Sequence, residues 1–155
     1  MPLLTFEDFH EGKIWEFGDY LVSKEEILEF ANKYDPQSFH IDEEAAKASQ
    51  FGGLIASGWH TCAIMMRMLC DGLFSHARGG SSPGIDEIRW LRPVRPEDRL
   101  RLRVEVAKVA PSRSKPDRGT VWNQITIFNQ KDEAVATIKA MTIVFKRDAT
   151  PGLPA

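Results

Sequence analysis

Cysteine is scarce. The 155 residues hold two, Cys62 and Cys70. They lie eight apart in one apolar segment that reads as a single helix, which cannot fold back to join them. That spacing fits no zinc pattern either, so both are expected as free, buried thiols in a reducing compartment. Excess charge is also missing. Twenty Lys and Arg stand against 22 Asp and Glu, for a net charge of −2 and a pI near 6.1. A nucleic-acid binder shows a basic excess, so that class is set aside. Long hydrophobic runs are absent. Residues 51–66 form an uncharged stretch of 16, but Gly, Ser, His and Thr interrupt it, and it is short for a membrane span. The start, MPLLTFEDFHEGK, lacks the basic and apolar regions of a signal peptide. A soluble cytoplasmic protein is expected. No G-x-G-x-x-G, P-loop or G-x-S-x-G string occurs, and the four histidines show no metal-ligand spacing, so no metal is expected.

What is present is ordinary for one globular domain: 43% hydrophobic and 27% charged residues in 17.5 kDa. No repeat breaks it up, and residues 1–155 read as one domain with a core over about 14–147. Residues 14–21 read as a first strand. Ser23 and Glu26 hold capping-box spacing, and Ile27, Phe30, Ala31 and Tyr34 follow as one apolar stripe. Pro36 stops that helix by Tyr34 or Asp35. Asp42 caps a short helix over 43–49. Residues 54–73 are the most apolar segment, with Ser57 as N-cap, and predict a helix buried on nearly all sides. Residues 76–84 read as a flexible loop. The period then switches to two, with strands over 85–91, 100–107, 121–128 and 134–145. A helix needing burial beside about four antiparallel strands predicts an α+β architecture, a sheet wrapped round a helix.

Two places carry chemistry. The stretch Tyr34-Asp35-Pro36-Gln37-Ser38-Phe39-His40 holds a carboxylate and an imidazole five residues apart. On a helix they would point about 140° apart. A non-helical bend instead brings both to one spot, where the pair suits general acid–base work on a shared water. Each also has a plain structural reading. Asp35 before Pro36 fits an N-cap, and His40 fits a partly buried histidine bonded to backbone. The second place is Ala56-Ser57-Gly58-Trp59-His60. A helix start offers unpaired N–H groups and partial positive charge, and Gly58 lets a ligand carbonyl approach. The alternative is that Gly58 only permits close packing. His60 and the Met65, Met66, Met68 run read as core. The loop cations Arg113, Lys115 and Arg118 are either solvated or a phosphate grip.

Together these residues resemble the MaoC-like dehydratase family, which includes the (R)-specific enoyl-CoA hydratases. The resemblance runs from about Phe17 to Lys146. Its most specific parts are residues 34–42, residues 51–58 and the Arg92-Pro93-Val94-Arg95-Pro96-Glu97-Asp98 string. It implies the hot-dog fold, a curved antiparallel sheet round one long helix. It also implies catalytic roles for Asp35 and His40, matching the family's D-x-N-P-x-H spacing, and a backbone donor at Gly58. Gln37 replaces the usual Asn, Ser38 the usual Pro, and Ser57 the usual His. Gln37, Ser57 and Trp59 are the expected substrate-binding residues, and Trp90, Phe74 and the 76–84 loop the expected shapers of an acyl pocket. The implied reaction is reversible hydration of a trans-2-enoyl-CoA to a 3-hydroxyacyl-CoA. Coenzyme A enters as part of the substrate, with no separate cofactor, and a homodimer is the least assembly expected. A hot-dog acyl-CoA thioesterase, a non-catalytic acyl-CoA binding domain and a plain interaction module are the alternatives.

Overall fold

The computed structural model describes residues 2–150. A short 3-10 turn precedes strand β1 (Ile14–Leu21), and helix α1 (Lys24–Tyr34) follows. Helices α2 (Ser38–Ile41) and α3 (Glu43–Ala48) lead to the long helix α4 (Gly58–Gly72). Strands β2 (Gly79–Ser81), β3 (Ile85–Trp90), β4 (Arg99–Pro111), β5 (Arg118–Phe128) and β6 (Ala134–Phe145) complete the chain. All pairings are antiparallel, in the order β1-β4-β5-β6, with β2 and β3 both against β6. Among the described residues, β1 and the β2/β3 pair are the two edges. This is the hot-dog fold: a curved sheet wrapped on a central helix.

Period-two alternation sets which face the helix meets. Leu100, Leu102, Val104 and Val106 of β4 are buried, as are Val121, Ile125 and Ile127 of β5 and Ala136 and Ile138 of β6. On α4, Ile64, Met65, Met68 and Leu69 share one core with Leu100, Leu102, Val104, Ile125, Ile127, Ala136 and Ile138, while Val106 and Val121 pack with Phe9 and Val144 in a second. Close approach is built into β1, whose register shifts between Phe17 and Tyr20. Gly18 there has φ +97°, and a Cβ on it would lie 2.5 Å from the Met68 sulfur. Only glycine fits both demands.

Several expectations need correction. The apolar segment 54–73 is not helical throughout: residues 54–56 precede α4, which begins at Gly58 after the expected Ser57 cap. Its burial is one-sided: Trp59 is 58% and Met66 46% exposed, on the same face as Ala63 and Arg67. The cysteines are not both buried; Cys62 is half-buried and Cys70 exposed. The bend expected at residues 34–40 contains the one-turn helix α2, and the 76–84 loop contains β2. Strand β4 runs on to Pro111 past a shift in register between Val106 and Lys108. No helix among the described residues is long and apolar enough to cross a membrane.

Candidate active site

Helix α1 halts at Tyr34 because Pro36 disfavours helical backbone at the residue before it. Asp35 takes φ −151° and ψ 68° while its N–H still bonds the Ala31 carbonyl at 2.8 Å. Asp35 therefore ends α1 rather than starting a helix, which corrects its reading as an N-cap. Gln37 is extended, and α2 then swings His40 inward, where it is 4% exposed. The reversal brings His40 Nε2 to 3.4 Å from Asp35 Oδ2.

Both side chains are held from outside this turn. His40 Nδ1 lies 2.7 Å from the Ile55 carbonyl. A carbonyl can only accept, so Nδ1 carries a proton, and the neutral ring has its lone pair on Nε2, facing Asp35. The Ile55 segment is itself fixed: Ile55 N–H bonds the Phe39 carbonyl at 3.3 Å and Ala56 N–H the Val94 carbonyl at 2.8 Å. Asp35 Oδ2 accepts from the Ser57 hydroxyl at 2.7 Å, and Oδ1 from the Gln37 amide at 2.8 Å. Burial pushes the Asp35 carboxyl up. The hydrogen bonds from Ser57 and Gln37 outweigh it, helped by His40 in the state in which that ring is protonated, and hold the group below the ordinary carboxylate range. Asp35 is an anion at neutral pH, and it cannot serve there as a proton donor.

Ser57 caps α4, accepting from Trp59 N–H at 3.3 Å while it donates to Asp35. The helix start and the carboxylate are thus one hydrogen-bonded unit. The Gly58 N–H makes no hydrogen bond among the described residues. The packing role of Gly58 holds as well. A Cβ there would lie 2.5 Å from the Trp90 indole, whose Nε1 donates to the Gly58 carbonyl at 3.0 Å.

Asp35, Gln37, His40, Gly58 and Trp59 line one cavity of about 460 Å³; Ser57 is fully buried behind it. Phe39, Phe51, Ile55 and Val94 supply apolar walls, and Trp90 meets Trp59 edge-on at 5.3 Å at an exposed rim. Phe74 and the 76–84 loop take no part in this cavity; Phe74 packs on the core. Phe39, Phe51 and Thr61 are lining residues without a sequence signal of their own. The 112–118 loop joins the ends of β4 and β5 near Phe145, whereas the site lies near Ala136 at the other end of β6. The loop's Arg118 is paired with Asp117 at 2.8 Å. His60 is 2% exposed, stacks on Phe30 and lies 3.1 Å from Glu26, as a structural histidine should. Among the described residues, no three His, Cys, Asp or Glu side chains converge to hold a metal.

The model of the MaoC like domain matches residues 9–126. The chain belongs to the MaoC-like dehydratase family. A crystal structure of the MaoC-like dehydratase from Rhodospirillum rubrum is 42% identical, with a TM-score of 0.88 over 93% of this chain and 98% of its own. The uncharacterized protein YdeM of Bacillus subtilis is 31% identical over 132 residues, 85% of this chain and 92% of its own. The R-hydratase PhaJ1 of Pseudomonas aeruginosa is 22% identical and shares the fold, with a TM-score of 0.72 over 97% of this chain and 94% of its own.

Proposed function

We propose that the protein hydrates a trans-2-enoyl-CoA to a 3-hydroxyacyl-CoA, reversibly, with Asp35 and His40 as the reacting pair. The observation that carries this reading is His40 Nε2 set 3.4 Å from an anionic Asp35 oxygen, in the cavity beside the Gly58 N–H; in the neutral ring with Nδ1–H given to Ile55, Nε2 is an acceptor. Two acceptors at that distance do not bond each other. A water molecule donating one proton to each satisfies both.

In the hydration direction that water attacks the β-carbon of the enoyl group. Its proton passes to His40 Nε2, and the electron pair of the carbon–carbon double bond moves through the α-carbon onto the thioester oxygen. The Gly58 N–H, at the positive end of α4, holds that oxyanion. The imidazolium, stabilised beside the Asp35 carboxylate, returns the proton to the α-carbon on the same face. The sum adds one H and one OH, and Asp35 stays ionised throughout. Gln37 and Ser57 act on this reading by fixing Asp35, and Trp59 by walling the mouth with Trp90. Coenzyme A arrives with the substrate, no other cofactor is needed, and the cytoplasm is the compartment implied. The open edge of β3 is the surface through which a second copy would pair.

The test is a spectrophotometric assay on a panel of trans-2-enoyl-CoA thioesters. Conjugated enoyl absorbance should fall as 3-hydroxyacyl-CoA forms, with no free thiol released. General acid–base groups contribute about 10²–10⁴-fold, so Asp35→Asn should slow turnover by that factor while its circular dichroism matches the parent. Release of free CoA in place of a hydroxyacyl product would assign the site to thioester hydrolysis. A folded Asp35→Asn variant at full rate would falsify the role of the pair.

A further inference from the structure

One wall of the reacting cavity is tied to the rest of the fold by a single side chain. Phe51 lines that cavity, yet residues 50–53 belong to no helix or strand. Their own hydrogen bonds are local. Phe51 N–H bonds the Ser49 hydroxyl at 3.2 Å and Gly52 N–H the Ser49 carbonyl at 3.1 Å, and Gly52 turns the chain at φ +68°. Among the described residues, one hydrogen bond reaches residues 50–53 from a distant part of the chain. Arg95 Nη2 donates to the Phe51 carbonyl at 2.6 Å, across 44 positions.

Arg95 is committed to that bond. Its neighbours Arg92 and Arg99 pair with Glu133 and Asp19, whereas Arg95, half-buried, makes no ion pair among the described residues. A charged donor bonds a carbonyl more strongly than a neutral one. The Arg95 backbone is fixed as well. Its N–H bonds Asp98 Oδ2 at 2.9 Å, Asp98 N–H returns to the Arg95 carbonyl at 3.1 Å, and Gln130 holds Asp98 Oδ1 at 2.9 Å. Arg95 lines a separate cavity of about 190 Å³ and not the reacting one, so it acts there only through Phe51.

The aromatic rings step away from the reacting pair. Phe39 meets the His40 ring edge-on at 4.5 Å, and Phe51 packs on Phe39 at 5.1 Å. Asp35 and His40 are anchored without Arg95, through Ser57, Gln37 and the Ile55 carbonyl. We propose that Arg95 is a positioning residue for the acyl group. It holds Phe51 as the wall that a longer acyl chain meets, whereas a short chain ends beside Phe39 and does not depend on it. The inference rests on the hydratase reading and names the residue that sets acyl-length preference in that same site.

The test compares the full-length parent, Arg95→Met and Arg95→Lys on crotonyl-CoA and on the longest straight-chain trans-2-enoyl-CoA that the parent turns over. Methionine keeps an apolar stem without a donor, and lysine restores a cationic donor. In Arg95→Met the KM for the long substrate should rise about tenfold, the order of one methylene contact, with kcat and both crotonyl constants within about twofold of the parent. Arg95→Lys should recover most of the loss. The Phe51 and Gly52 amides should exchange faster in Arg95→Met, read by NMR. Phe51→Ala should raise the long-chain KM in the same way, and adding Arg95→Met to it should cost nothing further, because a residue that acts through Phe51 has no effect once that ring is gone. If Arg95→Met does not fold, Arg95→Gln takes its place in the same comparison. An equal change on both substrates, a fall in kcat alone, or additive losses in the double variant would overturn the proposal. So would a parent confined to crotonyl-CoA, since no acyl group would then meet Phe51. A parent that turns over no thioester overturns the hydratase reading instead; Arg95 is then judged by exchange alone, and Phe51 and Gly52 amides unaltered in Arg95→Met would overturn its role too.

Discussion

Single atoms do double duty at this site. Ser57 Oγ caps α4 and binds Asp35 Oδ2. Losing an N-cap hydroxyl costs about 0.5–2 kcal/mol. Ser57→Ala should therefore destabilise the fold by that amount and raise the Asp35 pKa, since a hydrogen bond to the charged form is lost. Carboxyl NMR titration checks the direction. The sign for stability follows: a lowered carboxyl contributes stability that is full above the unfolded value of about 3.9 and is lost as pH falls through the folded value. In Ser57→Ala this contribution shrinks. Gly58→Ala tests a second doubled role. The new methyl would displace Trp90, so thermal stability should drop, and Trp90→Ala in the same chain should restore it while retaining the backbone donor. The Asp35–His40 spacing was legible in the sequence because five residues of turn suffice to join them. The partners of Asp35 were not: Ser57 lies 22 positions away, and the bond from Gln37 depends on an extended backbone at residue 37.

Elements were legible where periodicity runs long. β1 and β6 match their expected bounds, and α1 ends where Pro36 requires. α2 was not legible, since one turn has no period. β2 was hidden because Gly79 and Gly80, at φ +129° and +124°, carry no side-chain pattern. The central helix misled in a different way. Cys, Ala, Met and Trp count as apolar in composition, yet one face of α4 leaves them open. The two faces should respond differently. Leu69→Ala, at 2% exposure, should cost about 2–5 kcal/mol in urea unfolding, whereas Cys70→Ala on the open face should stay within about 0.5 kcal/mol.

The molecule as a whole has an unfinished side. β3 pairs only with β6, and near its outer edge Ile85, Trp90 and Leu91 are 48%, 45% and 52% exposed. An open, apolar edge strand invites pairing with another chain. A two-fold homodimer of about 35 kDa, twice 17.5 kDa, is the expected species in light scattering. A charge on that edge, Ile85→Lys, should shift it toward the monomer, and a wild-type monomer at micromolar concentration would remove the basis for the pairing. The opposite end of β6 is closed by contrast. Leu4 bridges Ala77, Arg147 N–H bonds Glu7, and Arg78 binds the carbonyls of Lys146, Arg147 and Ala149. The early and late parts of the described chain therefore meet at one pole, nine residues along β6 from the strand position beside the site, about 30 Å. A short peptide joining those two parts would make the backbone a ring without crossing the sheet. New ends opened in the Lys131–Asp132 turn would then give a circular permutant with the same strand order.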